Sequence, residues 1–340
     1  MKRIFFAIAA LFGCAVMSHA QTNFVATLQH EGELTHFYGT PSLAAAYNAA
    51  TDGDIITLSA GTFTSPGTIT KAITLRGVGI GTAESTRIST ATNFQPNDST
   101  KVIIVEGITF NTTTNVVNDA SSSGQGTIRF IKSQFNGLYT TNATSYSTVK
   151  GPAVRMYNCR STGSFSLSES YPDFKLYNCF IGSISNSGNS LSAATFVNCV
   201  ITYVYSDSKN MNFYNCIFFC NTYSGRLHYS STCQNCLGVG YTSVFNDIIS
   251  GGNNKTASSA ASVFATFTTQ TSNPSYLETF ELTEAAKETY IGTDGTQIGM
   301  QGGSYPFSTT VQYPIVTTFN VDAQTNKQGI LNVEVDVDEK

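Results

Sequence analysis

A fivefold recurrence of the pair Asn-Cys constrains this chain more than any other feature. The segments VRMYNCRS (154–161), FKLYNCFI (174–181), ATFVNCVI (194–201), MNFYNCIF (211–218) and STCQNCLG (231–238) align without gaps. Their cysteines, Cys159, Cys179, Cys199, Cys216 and Cys236, are spaced by 20, 20, 17 and 20 residues. Upstream, IRFIKSQF (128–135), VIIVEGIT (102–109) and AITLRGVG (72–79) keep the frame without the pair. They place Ser133, Gly107 and Gly77 in the Cys column, at steps of 30, 26 and 26 residues. A period of this size is one coil of a β-solenoid, each coil supplying two or three short strands.

Inside a coil the side chains alternate. Val154 and Met156 point one way and Arg155 and Tyr157 the other, as in a strand with one buried face. The alternation slips by one residue at Asn158, and Cys159 and Ser161 resume the inward phase. Such a slip turns every later side chain over unless the chain bends there. Asn is the non-glycine residue best suited to the left-handed conformation a bend needs. Coils stacked about 4.8 Å apart superpose Asn158, Asn178, Asn198, Asn215 and Asn235, and their amides are expected to bond from coil to coil as a ladder.

These features resemble the pectate-lyase-like superfamily of right-handed parallel β-helices. The segment Pro41 to Phe63 is similar to the lead-in module of that superfamily: a short amphipathic helix at 42–50 (Leu43, Ala46, Tyr47, Ala50), a Gly53-Asp54 turn and a strand at Ile55 to Leu58. The tail GTDGTQIGMQGGSYPF (292–307) resembles the end of uncharacterised secreted β-helix proteins of Bacteroidetes-type bacteria. The resemblance covers roughly residues 40–250 and speaks to fold more than to activity. The expected architecture is all-β. Residues 1–20 form a signal peptide and 21–40 a lead-in strand. The β-helix occupies 41–250, and 251–340 form a C-terminal capping region ending in a hairpin. The hairpin strands are Pro314 to Val321 and Ile330 to Val337; Leu331, Val333, Val335 and Val337 share one face and Asn332, Glu334 and Asp336 the other.

Lys2, Arg3, the apolar run Ile4 to Val16 and Ser18-His19-Ala20 are the parts of an export signal cleaved before Gln21. A lipid anchor on Cys14 is the alternative, and no segment is apolar enough to span a membrane. The 340 residues are only 12% charged with a net charge of -4, which implies no nucleic-acid partner. The protein is expected to be an exported monomer.

Seven cysteines follow the signal. Cys216, Cys220, Cys233 and Cys236 have the spacing of a zinc site. Register explains them more simply: Cys216 and Cys236 belong to the ladder, and Cys233 falls in the apolar column of Met156, Leu176, Phe196 and Phe213. Parallel neighbours lie too far apart for the usual disulfide Cβ separation of about 3.8 Å, so the ladder thiols are expected to be reduced and buried. A Cys220–Cys233 disulfide remains an alternative. No metal or cofactor is expected.

Enzymes resembling this fold are mostly polysaccharide lyases and hydrolases, which imply clustered carboxylates. The outward strand positions Arg155, Tyr157, Lys175, Tyr177, Thr195, Val197, Asn212 and Tyr214 hold none. Asp119, Asp173 and Asp207 lie between strands at unrelated phases, Asp52 and Asp54 belong to the lead-in turn, His228 stands alone, and Asp294 sits in a Gly-rich turn. The leading expectation is a non-catalytic surface protein binding a glycan through Arg155, Tyr157, Lys175, Tyr177 and Tyr214. A lyase or hydrolase with acids converging from loops is the alternative, and outward Tyr can equally serve strand packing alone. The next outer column runs from Arg160 through Phe180, Val200, Ile217 and Leu237. An apolar stripe of that size is either covered by the C-terminal region or is a partner interface.

Overall fold

The computed structural model describes residues 24–338 apart from 82–83, 119–124, 143–149, 168–170, 172, 187–193, 206–209, 220–229, 241–243, 247, 249, 268–273, 312–314 and 322–332. Residues 1–20, Asp119, Asp207, Cys220 and His228, with the readings placed on them, lie outside the described residues.

The chain winds into a parallel β-solenoid with two principal sheets of 12 strands each. In the first, strands Ile55–Leu58, Thr74–Arg76, Val102–Glu106, Thr127–Ile131, Ala153–Tyr157, Phe174–Tyr177, Ala194–Val197, Met211–Tyr214, Thr232–Gln234 and Ser250–Gly252 lie side by side. All are parallel and in register, Met156 opposite Leu176, Leu176 opposite Phe196, and Phe196 opposite Phe213. The second sheet takes the strand after each bend, from Gly61–Phe63 through Arg160–Leu167 and Phe180–Asn186 to Lys255–Ala257. Inward residues of both sheets form one continuous core in which like side chains stack. Phe196 and Phe213 lie 4.8 Å apart and Phe110 and Phe135 5.3 Å apart, both pairs near parallel. Offset stacking of this kind adds to the area the rings bury.

The bends are built by the repeated pair. Asn158, Asn178, Asn198, Asn215 and Asn235 have φ between 50° and 55°, the left-handed region that Asn tolerates best among side-chain-bearing residues. Each following cysteine turns inward and donates its thiol to the carbonyl two residues back: Cys159 to Tyr157 at 3.4 Å, Cys179 to Tyr177 at 3.2 Å, Cys199 to Val197 at 3.4 Å. Cys216 and Cys236 bond Tyr214 and Gln234 in the same way. Ser133, in the same column, donates to Ile131 at 3.0 Å. The position thus calls for a small inward side chain whose single polar group finds a buried partner; the corner carbonyl, which already accepts a backbone N–H from the adjacent coil, such as Asn178 N on Val197 O at 3.0 Å, has a second lone pair to offer it. The five thiols are free and buried, and burial pushes those of Cys159, Cys199 and Cys216 well up, which keeps them protonated and inert.

Two upstream repeats need a one-residue correction. Val105 pairs with Phe130 and Leu75 with Val105, so Gly107 and Gly77 stand in the Asn column and not in the Cys column. Gly107 has φ 67°; it supplies the bend that Asn supplies later, as Lys132 does with φ 46°. The amide ladder is also corrected. Among the described residues no Asn of the column bonds to its neighbour in the column. The side chains of Asn158, Asn178 and Asn215 instead meet backbone of residues 292–307, described below.

Before the first coil, strands Val25–His30 and Glu33–Tyr38 form an antiparallel hairpin that pairs with Ile55–Leu58. Helix α1 (Ser42–Ala49) buries Leu43, Ala46 and Tyr47 against this end, the i, i+3, i+4 stripe of an amphipathic helix. Its last carbonyls would be orphans, but Lys71 Nζ reaches Tyr47 O at 2.6 Å, Asn48 O at 3.1 Å and Ala50 O at 2.8 Å. Asp54 ties the turn to the hairpin, accepting from His30 at 2.8 Å and from Thr51 N at 2.6 Å. Burial raises its pKa, yet the Thr51 and His30 hydrogen bonds outweigh that and hold it below the usual carboxylate range.

The outer column Phe180, Val200, Ile217 and Leu237 is the floor of a second hydrophobic core. Phe264, Phe280, Leu282, Ala286, Ile298 and Met300 pack onto it, and Phe180 stacks on Phe280 at 5.3 Å. The covering flap comes from the same chain, so this surface is no open interface. Arg160, at the column's head, is buried with its guanidinium 4.6 Å from the Phe307 ring centroid. Burial pushes its pKa down to about 10. Within the flap, Val263 to Phe267 do not form the strand their composition suggests. A short 3-10 turn at Ala260–Ser262, an isolated bridge between Phe264 and Leu282, and helix α2 (Glu284–Thr289) take their place. Apolar content without strict alternation suits a plug as well as a strand. Farther on, strands Ile315–Val321 and Val333–Asp338 pair antiparallel as a separate two-stranded sheet.

Candidate functional site

The strap of residues 292–308 runs across the corner column of the solenoid. Asn178 Nδ2 donates to Met300 O at 3.0 Å and Gly302 O at 2.7 Å, and Asn158 Nδ2 to Pro306 O at 3.4 Å. Asn215 accepts from Thr293 N and donates to its hydroxyl. Asn158, Asn178 and Asn215 therefore fasten the strap, pairing its carbonyls and the Thr293 N–H with side-chain amides. Close approach explains the strap's glycines. A Cβ on Gly303 would stand 2.5 Å from Asn198 Nδ2, and Gly303 has φ 76°.

Between column and strap lies a groove of about 730 Å³. Its solenoid wall is Lys132, Tyr157, Asn158, Tyr177, Asn178 and Asn198; its strap wall includes Asp294, Gly303, Tyr305 and Pro306. From Lys132 to Asn198 is three coil steps, roughly 14 Å at about 4.8 Å each. A smaller cavity of about 300 Å³ lies beside Asn235 and Lys255. There Lys255 already donates to Thr289 O and stands over Tyr290, so the larger groove is the better candidate.

Of the residues expected to bind, the structure brings Tyr157 and Tyr177 into this groove and leaves Arg155, Lys175 and Tyr214 out of its lining. Arg155 is tied to Asp173, whose carboxylate also meets Lys175 at 3.3 Å. Asp173 is thus not at an unrelated phase but neutralises both cations, and burial, which raises its pKa, is outweighed by Arg155 and then Lys175. The tyrosines also differ from a flat platform. Tyr157 and Tyr177 stack on each other at 5.2 Å and 7°, so they offer a ligand their edges and hydroxyls more than their faces. The freely exposed ring is Tyr305, at 81%.

Two buried acceptors behind the groove's solenoid wall lack donors. Asn158 and Asn198 are 9% and 4% exposed, and Oδ1 of each has no hydrogen-bond partner. Buried polar atoms are rarely left so. Asp294 uses Oδ1 to accept from Thr296 N at 3.0 Å and Thr296 Oγ1 at 2.8 Å. It is the carboxylate among the lining residues. Among the described residues no group of three or more His, Cys, Asp or Glu could hold a metal ion.

Sequence reading passed over Lys132, Tyr305 and the role of Asp294. The signal was present in Gly302-Gly303-Ser304-Tyr305-Pro306, a tight turn that lifts an aromatic ring clear of the chain. Its place beside the Asn column, more than a hundred residues earlier, was not readable.

The architecture defines a parallel β-solenoid protein with a strapped corner groove. No protein-family model matches the chain, and no curated protein or solved structure matches it significantly. No helix among the described residues is long and apolar enough to cross a membrane.

Proposed function

We propose that this chain is an exported right-handed β-helix protein of pectate-lyase-like form that holds a glycan in the strapped groove without cleaving it. The observation that carries the reading is the groove itself, elongated along the coil axis and lined by tyrosine edges, amides and one exposed ring. Sugars offer many hydroxyl donors and apolar ring faces, and such a lining meets both. Glycosidases pair two carboxylates across the scissile bond; the groove's lining holds Asp294, which favours retention over cleavage. In this reading the export signal expected at residues 1–20 sends the protein outside the membrane or to the cell surface, released or lipid-anchored at Cys14, where it acts as a monomer. In this reading α1 and the hairpin at 25–38 close one end of the solenoid, and the C-terminal region closes the other.

The test is calorimetric titration of neutral, acidic and basic oligosaccharides against the full chain, with reducing ends counted in parallel. Binding with no new reducing ends, weakened about tenfold or more by Tyr305→Ala, supports the reading. Product release would establish the polysaccharide-active alternative, and absence of binding to every glycan would overturn the proposal.

A further inference from the structure

We infer that Arg160 is the protein half of a binding site for a small tetrahedral oxyanion, sulfate or phosphate, held between the second sheet and the strap. The site is separate from the glycan groove and does not rest on that reading. Arg160 is only 6% exposed. Among the described residues its guanidinium meets no carboxylate, and Nε is buried with no hydrogen-bond partner. The Phe307 ring, 4.6 Å away, shelters the cation but does not neutralise it. Buried charges are otherwise paired, because leaving one alone in a poorly polar interior is costly.

The two residues before Arg160 in its outward column share the deficit. Thr109 pairs in register with Gln134, and Gln134 with Arg160. Thr109 Oγ1 and Gln134 Oε1 are also buried without a partner. The Arg160 side chain runs back toward the coils that carry both, since Nη1 lies 3.5 Å from the point where a Gly81 Cβ would sit. Apart from Gly81's own chain neighbours, that point meets only Thr309 Cγ2, at 4.0 Å, so there is room beside the guanidinium. On its other side, Phe180 and Thr162 border a cavity of about 250 Å³ together with Thr202, Ser275 and Tyr276. Turning Gln134 toward Arg160, or adding water, would satisfy an N–H but bring no charge. A tetrahedral oxyanion does both, because the guanidinium fork presents N–H donors to two of its oxygens at once. The narrow opening admits a small ion better than a group carried on a large ligand. Phe307 sits between Pro306 and Ser308, which line the groove, so the ion braces the groove's outer wall from behind.

The experiment follows the melting temperature of the full-length protein at fixed ionic strength, with sodium sulfate or sodium phosphate replacing chloride up to about 10 mM. A saturable rise with at least one of the two ions is expected. Calorimetric titration with the same ion should show Kd raised at least about tenfold in Arg160→Met and at least about threefold in Arg160→Lys, which keeps the charge but loses the fork. In chloride alone, Arg160→Met should melt no lower than the parent, because an apolar chain then replaces an unneutralised buried charge. Absence of a saturable rise with either ion would overturn the inference, as would an equal rise in Arg160→Met, which marks general ion exclusion. An Arg160→Met chain that melts lower in chloride, or does not fold, would also overturn it, by showing the guanidinium to be satisfied within the fold. Binding of a sulfated hexasaccharide, but of neither free ion, would replace the small-ion site with a ligand-borne group and so overturn it too.

Discussion

At the corner of each coil, residue choice follows from two local demands. The bend needs a left-handed residue, and the next position needs a small inward side chain whose polar group can be satisfied by the corner carbonyl, already paired with the adjacent coil's N–H. Asn meets the first and Cys the second, which is why they occur as a pair. Ser133 meets the second demand with a hydroxyl, so Cys199→Ser should change unfolding free energy by no more than about 1 kcal/mol. Cys199→Ala should cost about 2 kcal/mol, since it removes both the donor and buried volume. Urea unfolding curves of the two variants check this; equal stability of the alanine variant and the parent would sink the assigned role. The cysteines were readable from register as buried thiols. Where each thiol's hydrogen bond goes became clear only from the corner geometry. The Asn amides show the opposite outcome: periodicity brings them into one column, yet the strap takes the hydrogen bonds of Asn158, Asn178 and Asn215.

At the scale of elements, the terminal units depend on particular stitches. Asp54 joins α1's following turn to the first hairpin through Thr51 and His30. Its folded pKa is depressed, so its contribution is present above the ordinary carboxylate value and is lost as pH falls through the folded one. Thermal stability should therefore drop below about pH 4, and Asp54→Asn should flatten that acid slope while lowering stability at pH 7 by about 2 kcal/mol. Melting temperatures from pH 2 to 7 check it; an unchanged acid slope in the variant would count against Asp54. The flap makes a second case. Phe180, Val200, Ile217 and Leu237 lie under it, and each buried side chain of this size is worth about 2 kcal/mol. Ending the chain near residue 250 should expose all four and produce aggregation, read by light scattering; a soluble, fully folded truncate would refute it. The sequence located this apolar stripe but left open whether self or partner covers it. Phe264, Phe280 and Leu282 settle on it from far along the chain, and no local pattern marks a segment as a cover.

For the whole molecule, solenoid periodicity makes the body legible and the groove illegible. Coil-to-coil register repeats every 17 to 30 residues, so five gapless copies suffice to stack the core. The one-residue error arose where Gly replaced Asn: Gly107 answers the same left-handed demand, while Gly77 is needed for close approach, a Cβ there standing 2.5 Å from Gly107 O. A bound glycan should stabilise the folded protein in proportion to its affinity, by about 2.7 kcal/mol at a hundredfold excess over Kd. A rise in melting temperature that Tyr305→Ala abolishes would register this, and an undiminished rise in that variant would place the ligand elsewhere.

The sequence by itself determined the coil, its bends and its buried columns, because these depend on backbone conformation and burial within one repeat and its neighbours. Only the tertiary structure decided what the asparagines hold, what covers Phe180 and Ile217, and that Asp294 and Tyr305 face Asn198 and Tyr177 across a groove. Those contacts join segments about a hundred residues apart, and they arise from which exposed surface each segment happens to bury. The Asn-Cys pair therefore builds one wall of the candidate site, while the residues that give the site its chemistry come mostly from the strap.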